Sequence, residues 1–581
     1  MSLAWFDVAI FVAFMALVVG MSLYAGRRER SSEDYFLAGR TLTWPLIGFS
    51  LIASNISTEH FVGMAGQGFT EVGLAVASYE WIAAAMLVVV AWWLLPRFLK
   101  AGIYTIPQYL EYRYDRGTRT IMSLYLLVLT VIALLVTVLY SGSRGLDGVF
   151  GFSDMLESRF GMAPDRAVFW ATWIGAWVIG TIAAIYTIYG GLKAVVWSDL
   201  VQGAALLGGG ALVLYLGLRL IGQGNVVAGW DGLVERNAAR LHTIRPADDP
   251  DMPWTIMIVG IWIPNFFYWG LNQFITQRTL GARSLAEGQK GVFLACIFKL
   301  LMPFIIVFPG IIAFQAFGTE ILASAAGDAD KAGEIAYPFL IREIMPPLLR
   351  GVMLAALAGA VMSTFNSGIN SASTLFTVDL YKRFVRPDAT AGREIKVGRI
   401  ATAVIAVVAC LMAPLPGLFE GVFNYIQEIW GFISPAIVIT FVFGLLVTRA
   451  PPRAGKFALL AGPAVYALFR VPGWIMSGLG YVISDSEGGV GVMRGLSTGG
   501  TEQVTGIVAS LFRFTQITFL HHMSFTLALL ALGMAIITLR HPLREGRSLP
   551  DSGLDVTPHP RSFLYGGLIL GATAALYVLF W

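Results

Sequence analysis

About fourteen times along this chain an apolar stretch approaches the roughly 20 residues that an α-helix needs to cross a bilayer's hydrocarbon core. The stretches lie near 4–25, 43–66, 72–95, 121–142, 167–188, 194–220, 254–276, 288–316, 348–376, 398–416, 424–447, 455–471, 517–539 and 562–580, in order spans one to fourteen. Span twelve is the weakest, interrupted by Pro463 and closed by Arg470. No interval between spans is large enough for a separate soluble domain. The longest, near 221–253, 317–347 and 472–516, read as loops. Charged residues make up 13% of the 581, about half of what a soluble domain carries. That shortage argues against a soluble enzyme, a disordered chain or a nucleic-acid-binding module. The expected fold is an all-α polytopic membrane protein, one transmembrane domain over 1–581.

Span one reads as a retained helix rather than a cleaved leader, because no basic residue precedes it and Gly26-Arg27-Arg28 follows it. Orientation follows from loop charge. Loops after odd-numbered spans hold Arg27, Arg28, Arg30, Arg40, Arg97, Lys100, Arg113, Arg116, Arg119, Lys382, Arg383, Arg386, Arg449, Arg453, Arg540, Arg544 and Arg547 among others. The balance, about 26 Lys/Arg against about 11 in the even loops, places the odd loops in the cytoplasm and both termini outside. Cys296 and Cys410 both sit in apolar runs, so no disulfide framework or metal-ligand cluster is expected.

The residues that a plain membrane span should lack are the informative ones. Span two carries Ser54-Asn55-Ile56-Ser57-Thr58-Glu59-His60 at its centre, with Gly63, Gly66 and Gly68 after it. Polar groups at that depth persist only against protein or a wet cavity. A helix broken here would free carbonyls and N–H groups for a cation and a polar solute; a kinked helix packing through its small residues is the other reading. Span nine holds Ser363-Thr364-Phe365-Asn366-Ser367, hydroxyls able to ligate sodium or simply to bond back to their own helix.

Among the ionisable residues inside spans, Glu80, Asp199, Lys299 and Glu428 stand out. Each costs at least about 2.5 kcal/mol at a helix centre unless paired or hydrated. Asp199 and Glu428 can be read as lying near an interface, and Glu80 with Lys299 as an ion pair that serves packing. Aromatic and amide residues share spans seven and eleven, in Asn265-Phe266-Phe267-Tyr268-Trp269-Gly270-Leu271-Asn272-Gln273 and Phe423-Asn424-Tyr425-Ile426-Gln427-Glu428. A ring beside amides and carboxylates suits a sugar, which has an apolar face and a hydroxyl edge; an interfacial aromatic belt is the alternative.

At these residues the chain resembles the sodium/solute symporter family, and within it the sodium/glucose and sodium/galactose cotransporters. The likeness runs through Ser54-Asn55-Ile56-Ser57, Gly73-Leu74-Ala75, Ser78-Tyr79-Glu80-Trp81, Tyr104-Thr105-Ile106-Pro107 and Ile188-Tyr189-Gly190-Gly191-Leu192. It continues through Val196-Trp197-Ser198-Asp199, Tyr268-Trp269-Gly270-Leu271-Asn272-Gln273, Gln277-Arg278-Thr279-Leu280 and the run from Asn370 to Asp379. It covers nearly the whole chain. The resemblance implies a leading helix (4–25), two inverted five-helix repeats (43–220 and 254–447), each with a broken first helix, and three trailing helices (455–580).

Residue by residue, it implies a sodium site from the carbonyls of Ala53, Ile56 and Ala360 and the hydroxyls of Ser363 and Thr364, with Asp199 on the release route. It implies a sugar held by Glu80, Asn265, Lys299 and Gln427, with Asn55 and His60 contributing from span two. Tyr268 would stack on the sugar as the inner gate, supported by Trp269 and Asn55; Met64, Tyr79 and Phe423 would cap it from outside. His60 stands where some bacterial members have Gln and the animal glucose transporters have His, so sugar is retained while its identity is open. Asn366 stands where members with a second sodium site have Thr, so one sodium per sugar is expected.

The function expected is therefore sodium-coupled sugar symport in the cell membrane, with sodium and a small-molecule sugar as partners within the lipid bilayer and no nucleic acid. Symport of an inositol, an amino acid or a carboxylate is the alternative. An anionic solute would favour an intramembrane Arg near the broken helices, and the sequence shows none inside those spans. A membrane sensor and an enzyme are weaker readings: no signalling domain follows span fourteen, and no nucleophile–base pair is visible. The precise sugar and the oligomeric state are not legible.

Overall fold

In the computed structural model the described residues are 5–27, 31–57, 59–418, 422–486, 489–495 and 501–581. Twelve described helices are long and apolar enough to cross a membrane. The fourteen expected spans are recovered because one of the twelve serves as two and span two is too broken to count. The doubled one is Pro164–Ile221, 58 residues long. A straight helix of that length would run about 87 Å, nearly three hydrocarbon cores. It turns instead at Gly191, where φ is 50° and ψ −146°. A side chain at that position would collide with the Tyr35 carbonyl oxygen, so the turn needs glycine.

Span nine, Leu349–Thr374, is the axis of the molecule. Its apolar window is 94% buried, against 17% for Trp5–Ala25 and 22% for Ser562–Leu579. Small residues make this possible: the buried run from Ala355 to Ala360 lets neighbouring backbones approach, and Gly359 packs directly on Gln202 of span six.

Spans two and seven are broken, each in its own order. Trp44–Asn55 ends where Ile56 becomes extended (φ −79°, ψ 116°), and a wide π-turn, Glu59–Met64, then leads into Ala65–Phe69. In span seven Trp262–Phe266 passes first through the wide turn Phe267–Leu271, and only then does Asn272 become extended (φ −84°, ψ 123°) before Gln273–Leu280. Break and wide turn thus occur in opposite sequence.

The three longest intervals are not plain loops, and that expectation is corrected. Val226–Arg236 and Ala329–Ile344 are helices, and 481–516 contains a three-stranded antiparallel sheet followed by Gly506–Gln516. Ala329–Ile344 buries Ala332, Gly333, Ala336, Tyr337, Leu340 and Ile341, one face at helical spacing. Its other face carries Asp330, Lys331, Glu334, Arg342 and Glu343, too many charges for a helix that crosses a membrane. Gly333 lies against Gly66, and the Tyr337 ring sits 5.1 Å from that of Phe61, so this helix covers the second half of span two.

Candidate functional site

The break in span two follows from a rerouting of backbone donors. In a continuous helix the N–H groups of Ser57, Glu59 and His60 would bond the carbonyls of Ala53, Asn55 and Ile56. Here Ser57 N–H donates to His60 Nδ1 (3.4 Å), Glu59 N–H to Ser57 Oγ (3.2 Å) and His60 N–H to the Ser57 carbonyl (3.0 Å). The three carbonyls lose their helical partners at mid-membrane. Two polar clusters lie beside this break.

The first surrounds a cavity of about 90 Å³ lined by Asn55, Glu59, His60, Met64, Tyr79, Glu80, Pro264, Asn265, Phe267, Tyr268, Trp269, Lys299, Gln427 and Trp430. Ten residues singled out from the sequence meet here: Asn55, His60, Met64, Tyr79, Glu80, Asn265, Tyr268, Trp269, Lys299 and Gln427. The side chain of Phe423 lies outside the described residues. Lys299 donates to both Glu80 oxygens (2.7 and 2.6 Å) and to Asn55 Oδ1, which uses all three of its protons. The Asn55 amide donates in turn to the Tyr268 hydroxyl (3.0 Å), and Lys299 Nζ stands 4.8 Å from the Trp269 ring centre. His60 Nε2 lies 3.6 Å from Glu80, just beyond hydrogen-bond distance. The Tyr79 hydroxyl bonds Gln427, and the Asn265 amide donates to its own helix at Ile261 (2.9 Å), leaving its Oδ1 to the cavity.

Sequence reasoning missed Glu59, Pro264, Phe267 and Trp430 as cavity-lining residues. Glu59 was readable as one more ionisable group in the polar run of span two. The other three are apolar and carry no signal that separates a cavity wall from packing.

The second cluster is sealed. Asp199 has no solvent exposure and accepts from Ser363 (2.6 Å), Ser50 (2.5 Å) and Ser54 (3.2 Å). Thr364 donates to the Ser54 carbonyl (3.0 Å) and to Ala360 (3.2 Å), and Ser367 to Ser54 Oγ (2.9 Å). Thr364 therefore reaches the carbonyl of Ser54, between Ala53 and Ile56. The interfacial reading of Asp199 is overturned, since from span six it is packed against spans two and nine with no solvent exposure.

One expectation fails here. An arginine does stand at the broken helices: Arg278, fully buried, with Nη2 3.6 Å from Asp199, Nε bonded to Ser50 (2.7 Å), and further bonds to Ser367 and the Phe274 carbonyl. The apolar stretch of span seven stops near 276, but every residue of Gln273–Leu280 is buried, so the helix stays inside the protein beyond it. Glu428 is not a lone interfacial carboxylate either, being paired with Arg470 of span twelve.

At the end of span nine a third set of charges ties the expected inner face together. Arg119 joins Asp379 and Glu111, and Arg383 grips Glu111 with two bonds (2.7 and 2.8 Å). Arg383 first, then Arg119, hold the Glu111 carboxyl at about 2, well below the usual carboxylate range.

Residues 35–462 match the sodium:solute symporter family. A sodium/glucose cotransporter of Vibrio parahaemolyticus is 37% identical over 487 residues, spanning 80% of this chain and 85% of that protein. A mouse sodium/myo-inositol cotransporter is 30% identical over 78% of this chain and 65% of its own length. Among solved structures, a Na⁺-coupled sialic acid symporter in its substrate-bound outward-open state superposes with a TM-score of 0.67 over 94% of this chain and 99% of that one. At 18% identity that likeness is one of fold. Broken helices with polar groups at mid-membrane are how many ion-coupled transporters build their sites, and with one family accounting for most of its length the chain belongs to the sodium:solute symporters, multi-pass membrane proteins that move a solute together with sodium.

Proposed function

We propose that this protein carries a galactose- or glucose-like sugar inward across the cell membrane, driven by sodium. The observation that carries the reading is the convergence of amides, a charge pair and aromatic rings on one cavity, a single helical break away from the hydroxyl cluster around Asp199. The sugar's hydroxyls would bond Glu80, Lys299, Asn265 and Gln427, with Asn55 and His60 at the span-two edge. Tyr268 would close the cavity below, backed by Trp269 and Asn55; Met64, Tyr79 and Phe423 would close it above.

Sodium would be held by the freed carbonyls of Ala53 and Ile56, the carbonyl of Ala360 and the hydroxyls of Ser363 and Thr364, and leave past Asp199. Coupling follows from Asn55, which stands between Ala53 and Ile56 and itself bonds Lys299 and Tyr268. An ion that fixes the 53–56 backbone also fixes Asn55, and thereby the geometry of the sugar cavity. By linkage, sugar then raises sodium affinity by the same factor. One sodium entering down 100 mV supplies about 2.3 kcal/mol, enough for roughly fiftyfold accumulation of a neutral sugar. One sodium per sugar is the stoichiometry favoured, since Asn366 supplies no hydroxyl and is engaged with Tyr186 and Thr187.

The repeats are proposed at 43–220 and 254–447, with 4–25 leading and 455–580 trailing. A broken helix opening each half, span two in one and span seven in the other, supports an inverted duplication. Both termini are proposed to lie outside. Single cysteines in the 384–395 and 472–503 loops, in a background without Cys296 and Cys410, should label from opposite sides of intact cells; equal labelling overturns that orientation. The function is tested with purified protein in liposomes, by uptake of labelled galactose, glucose and myo-inositol with and without a sodium gradient. Sodium-dependent uptake of a hexose supports the reading, uptake of inositol alone moves the solute to the cyclic polyols, and uptake of none rejects it.

A further inference from the structure

The cavity holds one carboxyl group more than it holds cations. Its acidic and basic side chains are Glu59, His60, Glu80 and Lys299. Lys299 balances Glu80 and has no proton left for another acceptor. His60 Nδ1 accepts from the Ser57 N–H, which leaves the ring proton on Nε2 and the ring neutral. Glu59 is balanced by nothing: among the described residues its Oε1 is buried without a hydrogen-bond partner, and no cationic side chain lies within ion-pair distance. The turn does not need this side chain, since it is the Glu59 backbone N–H that bonds Ser57. A buried carboxyl group without a cation carries its charge at a cost that an incoming ammonium group offsets and an incoming carboxylate increases.

We propose that Glu59 sets the charge selectivity of the solute cavity, favouring a hydroxylated solute that carries an ammonium group over a neutral one, and rejecting one that carries a carboxylate. This rests on the sugar reading and narrows it to neutral and amine-bearing sugars, against the acidic ones. Arg278 does not reverse the balance, because Asp199, Ser50 and Ser367 already occupy it in the sealed cluster.

The test uses competition against labelled galactose uptake in proteoliposomes by 6-amino-6-deoxygalactose and galacturonate, which place opposite charges on the same carbon. Wild type should prefer the amine. Glu59→Gln should shrink the ratio of the two inhibition constants by about tenfold or more, both constants being taken relative to that variant's own galactose affinity. Glu59→Asp should keep the ratio, and thermal unfolding in detergent should show both variants folded. A ratio unchanged in Glu59→Gln, or a wild type that prefers galacturonate, overturns the proposal. If galactose is not carried at all, the sugar reading fails separately. The charge question is then decided by thermal stabilisation of wild type and Glu59→Gln with ethanolamine against glycolate: a preference for ethanolamine that disappears in the variant sustains the role of Glu59, and equal behaviour rejects it.

Discussion

Two buried ion pairs flank the break in span two, and they are built differently. Lys299 and Glu80 meet tightly, at 2.6 and 2.7 Å, with the lysine's last proton on Asn55. Arg278 and Asp199 stand farther apart, at 3.6 Å, and serine hydroxyls fill the space around them. In the first pair each charge depends on the other, and the pair offers its outer edges to a cavity. In the second, Asp199 is supported by Ser50, Ser54 and Ser363, so its charge is shared among groups that a cation could recruit. The tight pair reads as a frame for a solute and the loose one as part of an ion path.

The largest effect that can break this comparison is on stability. Lys299→Met strands Glu80 in the membrane interior and should cost about 3–5 kcal/mol, the range for a buried pair that loses one partner. Arg278→Met leaves Asp199 with its three hydroxyl donors and should cost less by about 1 kcal/mol or more. Chemical or thermal unfolding in detergent measures both, and equal losses would remove the distinction between the pairs.

A smaller effect sharpens the solute side. Gln427→Ala and Asn265→Ala are neutral changes outside the Lys299–Glu80 pair. Each should raise the half-saturating galactose concentration by about tenfold, the loss of one hydrogen bond of about 1.5 kcal/mol. Thermal stability and sodium affinity should stay close to wild type. Unchanged uptake in both variants would move the sugar elsewhere.

Much of this was legible because membranes penalise polar residues so heavily that each one inside a span signals a purpose. Ser54, Asn55 and His60 mark the break, and Glu80 with Lys299 reads as a pair, from the sequence alone. The resemblance then joined Asn265 and Gln427, more than 150 positions apart, to one cavity. What failed was whatever depended on where a span ends. Arg278 looked like a loop residue because hydropathy falls after 276, although Gln273–Leu280 stays buried beyond it. Ala329–Ile344 was lost for the converse reason, too polar on one face to count as a span yet packed on span two with the other. Glu59 was passed over beside the more familiar polar residues of its own run, although its missing partner makes it the least balanced group in the cavity.

The central claim is that sodium and sugar occupy separate clusters joined through the 53–56 backbone. The most direct test is equilibrium binding of labelled sodium to Ser363→Ala/Thr364→Ala, beside Gln427→Ala/Asn265→Ala, in purified folded protein. The hydroxyl variant should lose saturable sodium binding, and the amide variant should bind sodium normally until galactose is added, then fail to show the tightening that galactose produces in wild type. Saturable sodium binding in the hydroxyl variant with wild-type affinity would contradict the account.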